Sequence, residues 1–211
     1  MIEQINGFWV PSDDAQINEW REKGSPFVQD RCLNRFIKYC TDENIVLKNV
    51  LDIGAWCGTW SLAMQKFAKN ICCFEPNAIH FECLQKNLEK YKHIQLFNHA
   101  VGSKTSFVKL SEDTATQNTR VIEEVGNIPI CTLDSLDLQD VDMIKIDVEG
   151  LEMEVLKGAT KILENVKYLM IELNNNSKKY GSSNGQIEKH LRNQGFRPLI
   201  KIWPDIIFYK K

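Results

Sequence analysis

The sequence predicts an α/β fold with a doubly wound, mostly parallel sheet that ends in an antiparallel hairpin. Strand patterns, such as the apolar run at residues 71–74 and the strand predicted at 143–147, alternate along the chain with amphipathic helical patterns. This alternation is typical of parallel sheets with right-handed crossovers. In addition, residues 51–61 read as an apolar strand that runs into a glycine-bearing turn and then a helix. That is the first ligand-binding corner of such a sheet.

The other elements follow in chain order. Further strands are predicted at residues 71–74, 94–101, 143–147 and 168–173, with one strand of a small hairpin at 106–110, a polar loop at 112–117 and a terminal hairpin formed by 199–203 and 206–209. Helices are predicted at residues 60–69, 77–91, 151–163 and 185–193. The helix at 77–91 carries apolar residues at 3-4-3 spacing, which indicates one buried face. Gly195 takes the position of a C-terminal stop for the last helix.

Composition and charge are those of an ordinary globular domain. The 211 residues are enough for one sizeable core, and 43% of them are hydrophobic and 26% charged. The net charge of −2 comes without a basic stripe, so we expect no nucleic-acid partner. No signal-peptide pattern is visible, and no apolar stretch approaches the ~18 residues that span a bilayer. We therefore expect a cytoplasmic protein without a membrane span, and no pattern indicates its oligomeric state.

Residues 1–45 precede the alternating pattern and are predicted to form an N-terminal extension packed on a domain that spans residues 46–211. The extension contains Phe8, Trp9 and Trp20, followed by a helical pattern from about residue 27 to residue 40. No linker-like composition separates it from the domain. Its aromatic residues either line a ligand pocket or anchor the extension.

Cysteine and histidine patterns argue against disulfide and metal chemistry. The seven cysteines are odd in number and form no C-x-x-C pair, which favours reduced, buried thiols. The four histidines show no ligand spacing with one another or with cysteine, so no metal site is predicted.

The glycine-bearing turn contains the pattern Asp52-x-Gly54-x-x-x-Gly58, with Ala55 and Trp56 between the glycines. Glycine lacks the Cβ that would keep a ligand away from the backbone, and it adopts φ values that other residues avoid. The spacing differs from the dinucleotide fingerprint G-x-G-x-x-G. The turn therefore predicts close approach of a nucleotide-like ligand, and an ordinary βα turn is the alternative.

Glu75 ends the next predicted strand, 23 residues after Asp52. An acidic residue about 20 positions beyond a glycine motif is placed to accept hydrogen bonds from ribose hydroxyls. A carboxylate suits this role because it only accepts hydrogen bonds. We expect Glu75→Ala to weaken ligand binding and barely to change stability. The alternative is a solvated strand end before Pro76.

Several segments together resemble the FkbM-type S-adenosylmethionine-dependent methyltransferases. The segments are Ile146-Asp147-Val148-Glu149-Gly150-Leu151-Glu152 with Val155-Leu156-Lys157-Gly158-Ala159, and residues 50–58, 74–76, 98–102, 132–134 and 171–172. The resemblance covers about residues 46–175. It implies the seven-stranded methyltransferase variant of the Rossmann fold. It also implies methyl transfer from S-adenosylmethionine, mostly to oxygen, on a carbohydrate or another small molecule.

The resemblance also implies which residues bind the cofactor. The glycine turn would contact the methionine half, Glu75 the ribose, and the segment after the third strand the adenine. The expected cofactor-binding set is Asp52, Gly54, Ala55, Trp56, Gly58, Glu75, Pro76, Asn77, Ala100 and Val101.

Three acidic residues, Asp147, Glu149 and Glu172, are the candidates for catalysis. The resemblance places Asp147 and Glu149 where the acceptor meets the methyl group, and Glu172 ends the fifth strand at the same edge. A base that takes the proton of a hydroxyl nucleophile typically contributes ~10²–10⁴-fold. Alternatively, Asp147 caps a helix that begins near Glu149, and Glu149 favours that helix through its dipole.

Two other function classes stay open. One is a nucleotide-cofactor oxidoreductase on the same architecture, which the missing G-x-G-x-x-G disfavours. The other is a non-catalytic cofactor-binding module, which the retained acidic and glycine residues disfavour. Acceptor specificity is expected to come from the extension, from residues 103–130 and from the polar loop at 174–184. This loop is either mobile beside the cleft or merely solvated.

Overall fold

The computed structural model describes residues 1–12, 17, 21, 31–110 and 121–211, and for residues 121–125 it describes the backbone alone. Trp20, the start of the helix expected from residue 27, and the loop expected at residues 112–117 lie outside the described residues.

Twelve strands and five α-helices are described. The strands are β1 Ile2–Ile5, β2 Phe8–Pro11, β3 Leu47–Ile53, β4 Ala68–Phe74, β5 Ile94–Phe97, β6 Ala100–Val101, β7 Ser106–Leu110, β8 Val121–Cys131, β9 Val141–Ile146, β10 Tyr168–Glu172, β11 Arg197–Ile202 and β12 Asp205–Tyr209. The helices are α1 Arg31–Asp42, α2 Thr59–Met64, α3 Ala78–Leu88, α4 Glu152–Lys157 and α5 Asn184–Asn193. Short 3₁₀ helices cover Leu133–Ser135, Ile162–Glu164 and Asn176–Tyr180.

The central sheet has seven strands in the order β11-β12-β10-β9-β3-β4-β5. The strands from β10 to β5 pair in parallel, and β12 pairs antiparallel with both β10 and β11. The chain leaves β3 for β4 and β5 on one side, and later fills β9 and β10 on the other. Strand order therefore reverses between β3 and β9, where ligands of doubly wound sheets bind. The predicted fold class and terminal hairpin are confirmed.

Helices cover both faces of this sheet, because its strands carry buried side chains in both directions. On one face, α4 and α5 contribute Val155, Leu156, Ile187 and Leu191 to the core. The other face is covered by the apolar sides of α1, α2 and α3, among them Phe36, Trp60, Met64, Leu84 and Leu88. Burial on both sides explains why the parallel strands read as continuous apolar runs.

Three predicted elements are wrong in their extent. The strand expected at 94–101 is divided: β5 ends at Phe97 in the central sheet, and β6 pairs with β8 in a separate three-stranded sheet. The helix expected at 60–69 ends at Met64, because Ala68 already pairs with Leu47 as the start of β4. The helix expected at 151–163 stops at Gly158, whose backbone N–H bonds the last carbonyls of α4.

The N-terminal hairpin of β1 and β2 packs on α3. The side chain of Asn87 accepts from the backbone N–H of Trp9 at 2.7 Å and donates to its carbonyl at 2.8 Å. The same amide donates to the carbonyl of Cys57 at 2.9 Å, so the side chain of Asn87 connects the hairpin with the glycine turn. The backbone of Trp9 thus fixes the hairpin on α3, and Lys86 Nζ on the same helix lies 4.8 Å from the centroid of its ring. Within the described part of the chain, no helix has the length and apolar character to cross a membrane.

Candidate active site

The candidate residues meet at the carboxyl edge of the central sheet. The turn after β3 and the segments that follow β4, β9 and β10 all lie there, because parallel strands end on the same side. Gly54 closes the gap between two of these segments: it has a φ of +79°, and a Cβ on it would lie 1.8 Å from the backbone oxygen of Asp147. Only glycine allows the turn to approach the end of β9 so closely.

Gly58 also has a packing reason. Its φ is +91°, and a Cβ would lie 2.8 Å from Cδ1 of Leu84 on α3. From the sequence, both glycines were expected to let a ligand approach the backbone. In the structure, the atoms nearest to their Cβ positions belong to other parts of the protein. Their effect on a ligand is indirect, because they fix the shape of the turn.

Asp52 lies beneath the turn and is fully buried. Its carboxylate accepts a hydrogen bond from Ser61 Oγ at 2.6 Å and pairs with Lys145 Nζ at 3.1 Å. Asp52 has no exposed side-chain atom with which it could make the expected contact with a ligand. We infer that its carboxylate supports the turn from below.

Lys145 is a residue of this site that the sequence analysis missed. Its ammonium is 3.4 Å from Asp147 Oδ2 and donates to the carbonyl of Gly54 at 2.6 Å. Burial disfavours the charged ammonium, but the carboxylates of Asp52 and Asp147 outweigh this effect and raise the pKa of Lys145 above its ordinary value. A lysine between two isoleucines in a buried strand was the available signal, since lysine is rarely buried without a partner.

Glu75 is buried at the end of β4 and is surrounded by donors. Its carboxylate accepts from the backbone N–H of Trp56 at 2.8 Å and from that of Asn77 at 2.9 Å. His80 Nδ1 lies 3.4 Å from Oε1. Two carboxylate oxygens offer about four acceptor positions, so these contacts are compatible with a ribose hydroxyl as a further donor. Asn77 itself caps α3 by accepting from the backbone N–H groups of Ile79 and His80.

Replacement of Glu75 by glutamine is expected to lower both stability and cofactor affinity. The amide keeps one oxygen but presents an NH₂ to a backbone N–H, which leaves one buried donor unsatisfied at a cost of ~1–3 kcal/mol. The expectation that this site barely affects stability is therefore revised. Thermal melts and calorimetric titration with S-adenosylhomocysteine check the two effects. Wild-type values for both would contradict this account of the carboxylate.

The segment after β5 supports the loop at Glu75. The side-chain amide of Asn98 donates to the carbonyls of Glu75 and Pro76 at 2.8 and 3.1 Å. Ala100 and Val101 follow in β6 and are 5% and 4% exposed. They border the same edge of the sheet, and their expected contact with adenine stays a prediction.

The three candidate acids meet at the ends of β9 and β10. One carboxylate oxygen from each of Asp147, Glu149 and Glu172 can be chosen so that all three lie within 4.8 Å of one another. Asp147 does not cap the next helix, since α4 begins at Glu152 with no side-chain cap. Glu149 has a φ of +55° and lies before the helix, so it is not in the first helical turn either. The alternatives of a capping Asp147 and of a Glu149 in the first helical turn are therefore wrong.

Two amides from the following segment hold the acidic group together. Asn174 Nδ2 donates to Glu172 at 2.8 Å and to Glu149 at 3.2 Å, and Asn176 Nδ2 donates to Glu149 at 2.7 Å. The segment expected to be a polar loop thus supplies donors to the site, and part of it forms the 3₁₀ helix Asn176–Tyr180. Asparagine composition alone did not distinguish these contacts from solvation.

Burial and like charge change the acidity of this group. Burial, with the nearby carboxylates of Asp147, Glu149 and Asp205, raises the pKa of Glu172 to about 9. Burial and Asp147 also raise the pKa of Glu149. The neighbouring Glu152, which accepts from the backbone N–H of Gly150 at 2.8 Å, has its pKa raised to about 7 by burial. Burial and like charge therefore favour the protonated form of Glu172.

The raised pKa of Glu172 predicts a loss of stability as the pH rises. The folded state holds the proton more tightly than the unfolded state, so this stabilisation is complete below the ordinary pKa of 4.5 and is lost as the pH rises through about 9. One such group changes the free energy of unfolding by at most about 1.4 kcal/mol per pH unit. Melts of the wild type and Glu172→Gln between pH 5 and 9, with EDTA present, should show a flatter profile for the variant. Parallel profiles would contradict the assignment.

The carboxyl edge of the central sheet contains residues that could bind two kinds of ligand. Buried Glu75, with acceptor capacity beside the turn, fits the ribose of a nucleoside cofactor. The three carboxylates of Asp147, Glu149 and Glu172 are, among the described residues, the group that could hold a metal ion. The sequence prediction of no metal site considered histidine and cysteine spacing and did not consider these carboxylates.

Comparison with known proteins agrees with this architecture. The Methyltransferase FkbM domain matches residues 52–198. Hexuronic acid methyltransferase AglP of Haloferax volcanii is 26% identical over 182 residues, which cover 82% of this chain and 74% of that protein.

Solved structures share the fold at low identity. Methyltransferase FkbM from Methylobacillus flagellatus KT is 17% identical with a TM-score of 0.57, over 77% of this chain and 43% of that one. This chain thus spans less than half of that protein. Magnesium protoporphyrin IX methyltransferase from Synechocystis PCC 6803, crystallised with bound S-adenosylmethionine, is 11% identical with a TM-score of 0.55, over 94% and 93% of the two chains.

The seven-stranded sheet, the glycine turn at its switch point and the acidic residue after the next strand define a protein of the Rossmann-like class with a corner for a nucleoside ligand. The chain belongs to the FkbM methyltransferase family, whose domain covers most of its length. S-adenosylmethionine, the cofactor that the sequence predicts, is bound in the Synechocystis structure that shares this fold.

Proposed function

We propose that this protein transfers the methyl group of S-adenosylmethionine to an oxygen atom of a sugar, with Asp147 as the base. The observation that carries the proposal is the gathering of three carboxylates, from Asp147, Glu149 and Glu172, beside the glycine turn. The name of the Haloferax relative, a hexuronic acid methyltransferase, supports a sugar acceptor.

For this reaction the protein must position the acceptor oxygen and remove its proton. The bound cofactor supplies an activated methyl group on a sulfonium, which is the difficult part of the reaction. The protein must hold the acceptor oxygen in line with the methyl group, and such positioning can contribute ~7–11 kcal/mol. It must also take the hydroxyl proton as the new C–O bond forms.

Asp147 fits the role of base better than its two neighbours. Its side chain is 39% exposed, so it can reach an acceptor, and the ammonium of Lys145 lies 3.4 Å from its Oδ2. Burial and the neighbouring carboxylates raise the pKa of Glu172, which favours its protonated form and suits it to donate a hydrogen bond rather than to act as the base. Glu149 already accepts from two asparagine amides.

A nearby aromatic side chain favours a sugar as the acceptor. Asp205 pairs with Glu172 across β10 and β12, and the backbone N–H of Leu173 donates to the carbonyl of Pro204 at 2.9 Å. These contacts bring the turn at residues 203–204 to the acidic group. Trp203 on this turn is 55% exposed. An exposed indole can pack on the apolar face of a sugar ring, while carboxylate and amide groups bond its hydroxyls.

Transfer of a labelled methyl group tests the proposal. The purified protein would be incubated with labelled S-adenosylmethionine and separate sets of neutral sugars, hexuronic acids, glycolipids and non-sugar alcohols. Mass spectrometry would then locate the label in each product. We expect the label on an oxygen of a sugar. Transfer to non-sugar alcohols alone would overturn the acceptor class. Absence of any transfer would favour the alternative of a non-catalytic cofactor-binding module.

Removal of the Trp203 side chain is expected to weaken acceptor binding only. Trp203→Ala should raise the KM for the sugar roughly tenfold, as expected for a contact residue of this kind, and leave the affinity for S-adenosylhomocysteine unchanged. Val46→Ala is the matched control, because Val46 is 63% exposed at the opposite edge of the sheet. An unchanged KM in Trp203→Ala, or an equal rise in Val46→Ala, would remove Trp203 from the acceptor site.

A further inference from the structure

Lys145 connects the two halves of the candidate site. It lies in β9 with its residue only 7% exposed, and its side chain ends at the carboxyl edge of the sheet. Its ammonium is 2.6 Å from the carbonyl of Gly54 in the turn, 3.1 Å from Asp52 beneath the turn, and 3.4 Å from Asp147 beyond β9. It therefore donates a hydrogen bond to the turn carbonyl and forms ion pairs with the two carboxylates.

The contact with Asp52 has a simple structural explanation. A fully buried carboxylate needs a compensating charge, and Lys145 supplies it. Ser61 already donates to the other oxygen of Asp52. Neutralising Asp52 does not, however, require the ammonium also to contact the turn carbonyl and the exposed carboxylate of Asp147. These two further contacts join the cofactor-binding turn to the candidate base.

We propose that Lys145 is a positioning residue that fixes the glycine turn and the Asp147 carboxylate relative to each other. This inference rests on the proposed function, because it takes Asp147 as the group that contacts the acceptor. An in-line transfer depends on the separation between the cofactor and the base, and small misplacements reduce the rate strongly. One buried ammonium, hydrogen-bonded to the turn carbonyl and ion-paired with Asp147, keeps this separation constant.

A double substitution separates positioning from charge compensation. Lys145→Met alone leaves Asp52 buried without a counter-charge and is expected to lower Tm by roughly 10 °C. Asp52→Asn together with Lys145→Met removes both buried charges. We expect the double variant to melt near Asp52→Asn alone. A purely compensating lysine would then be dispensable, whereas a positioning lysine would still be missing.

The decisive comparison is between Asp52→Asn and the double variant. Calorimetric titration with S-adenosylhomocysteine should show at least roughly tenfold weaker binding in the double variant, because the turn carbonyl has lost a charged donor. With an acceptor in hand, kcat should also fall while the KM for the acceptor stays the same. Lys48→Met is the control, since Lys48 is exposed and pairs with Asp140 at the opposite edge of the sheet. It should bind like the wild type.

The outcomes distinguish this inference from the proposed function. Equal affinity of Asp52→Asn and the double variant for S-adenosylhomocysteine would overturn the role of Lys145, whatever the acceptor is. A failure to methylate any sugar would overturn the acceptor assignment and leave the binding comparison intact. Equal loss of affinity in Lys48→Met would also contradict the inference, because the effect would then not depend on the site.

Discussion

Asp147→Asn is expected to lower turnover by ~10²-fold or more, because the amide cannot take a proton from the acceptor. Melting temperature and affinity for S-adenosylhomocysteine should stay near the wild-type values. The side chain is partly exposed and does not cap α4. The buried ammonium of Lys145 keeps Asp52 as its counter-charge in the variant. Steady-state kinetics on the identified acceptor, with melts and calorimetry on the same samples, measure all three quantities.

One control variant and two further variants complete this experiment. Asp140→Asn changes an exposed aspartate at the opposite edge of the sheet and should keep wild-type turnover. Glu149→Gln and Glu172→Gln test the other two candidates for the base. Normal turnover in Asp147→Asn, with loss in one of the glutamate variants, would move the base to that residue. Loss of cofactor affinity in Asp147→Asn would instead indicate that the carboxylate contacts the cofactor.

Gly54→Ala is expected to abolish measurable binding of S-adenosylhomocysteine and to destabilise the fold. The new Cβ would lie 1.8 Å from the backbone oxygen of Asp147, so the turn or the end of β9 must move. The positive φ adds ~1–2 kcal/mol of strain for any residue with a Cβ. The movement also breaks the contact of Lys145 with the Gly54 carbonyl. Calorimetry and thermal melts are the measurements.

A second glycine with a positive φ separates the effect of backbone strain from the effect of the Cβ collision. Gly7 has a φ of +83°, and a Cβ there meets no atom within 4 Å. Gly7→Ala therefore carries the backbone strain without the collision, and it should lower stability slightly and leave cofactor binding intact. If Gly54→Ala behaved like Gly7→Ala, the close approach of turn and strand would not matter for the site.

Much of the fold was predictable because parallel strands buried on both faces have a strong signal. Residues 71–74 and 168–171 are continuous apolar runs, and both lie in strands of the central sheet. The division of the third strand was not predictable. Residues 94–101 are compatible with one strand, and the break at residues 98–99 depends on the bonds of Asn98 to the neighbouring loop. Such tertiary contacts produce no recognisable pattern in the local sequence.

The site was predictable in part for the same reason. Strand ends could be located, so Asp147, Glu149 and Glu172 were expected at one edge, and the structure brings them together. The directions in which individual side chains point could not be predicted from the sequence. Asp52 was expected to reach a ligand, but it is buried beneath the turn on Ser61 and Lys145. Identifying that partner required knowing which strand lies beside β3.

The central claim is that the corner formed by the glycine turn and Glu75 binds S-adenosylmethionine, and calorimetry on the wild-type protein tests it most directly. S-adenosylhomocysteine and NAD would be titrated separately into folded protein. We expect S-adenosylhomocysteine to bind with micromolar or tighter affinity and NAD to show no comparable binding. Absence of S-adenosylhomocysteine binding in a sample that melts cooperatively, or tighter binding of NAD, would contradict the account.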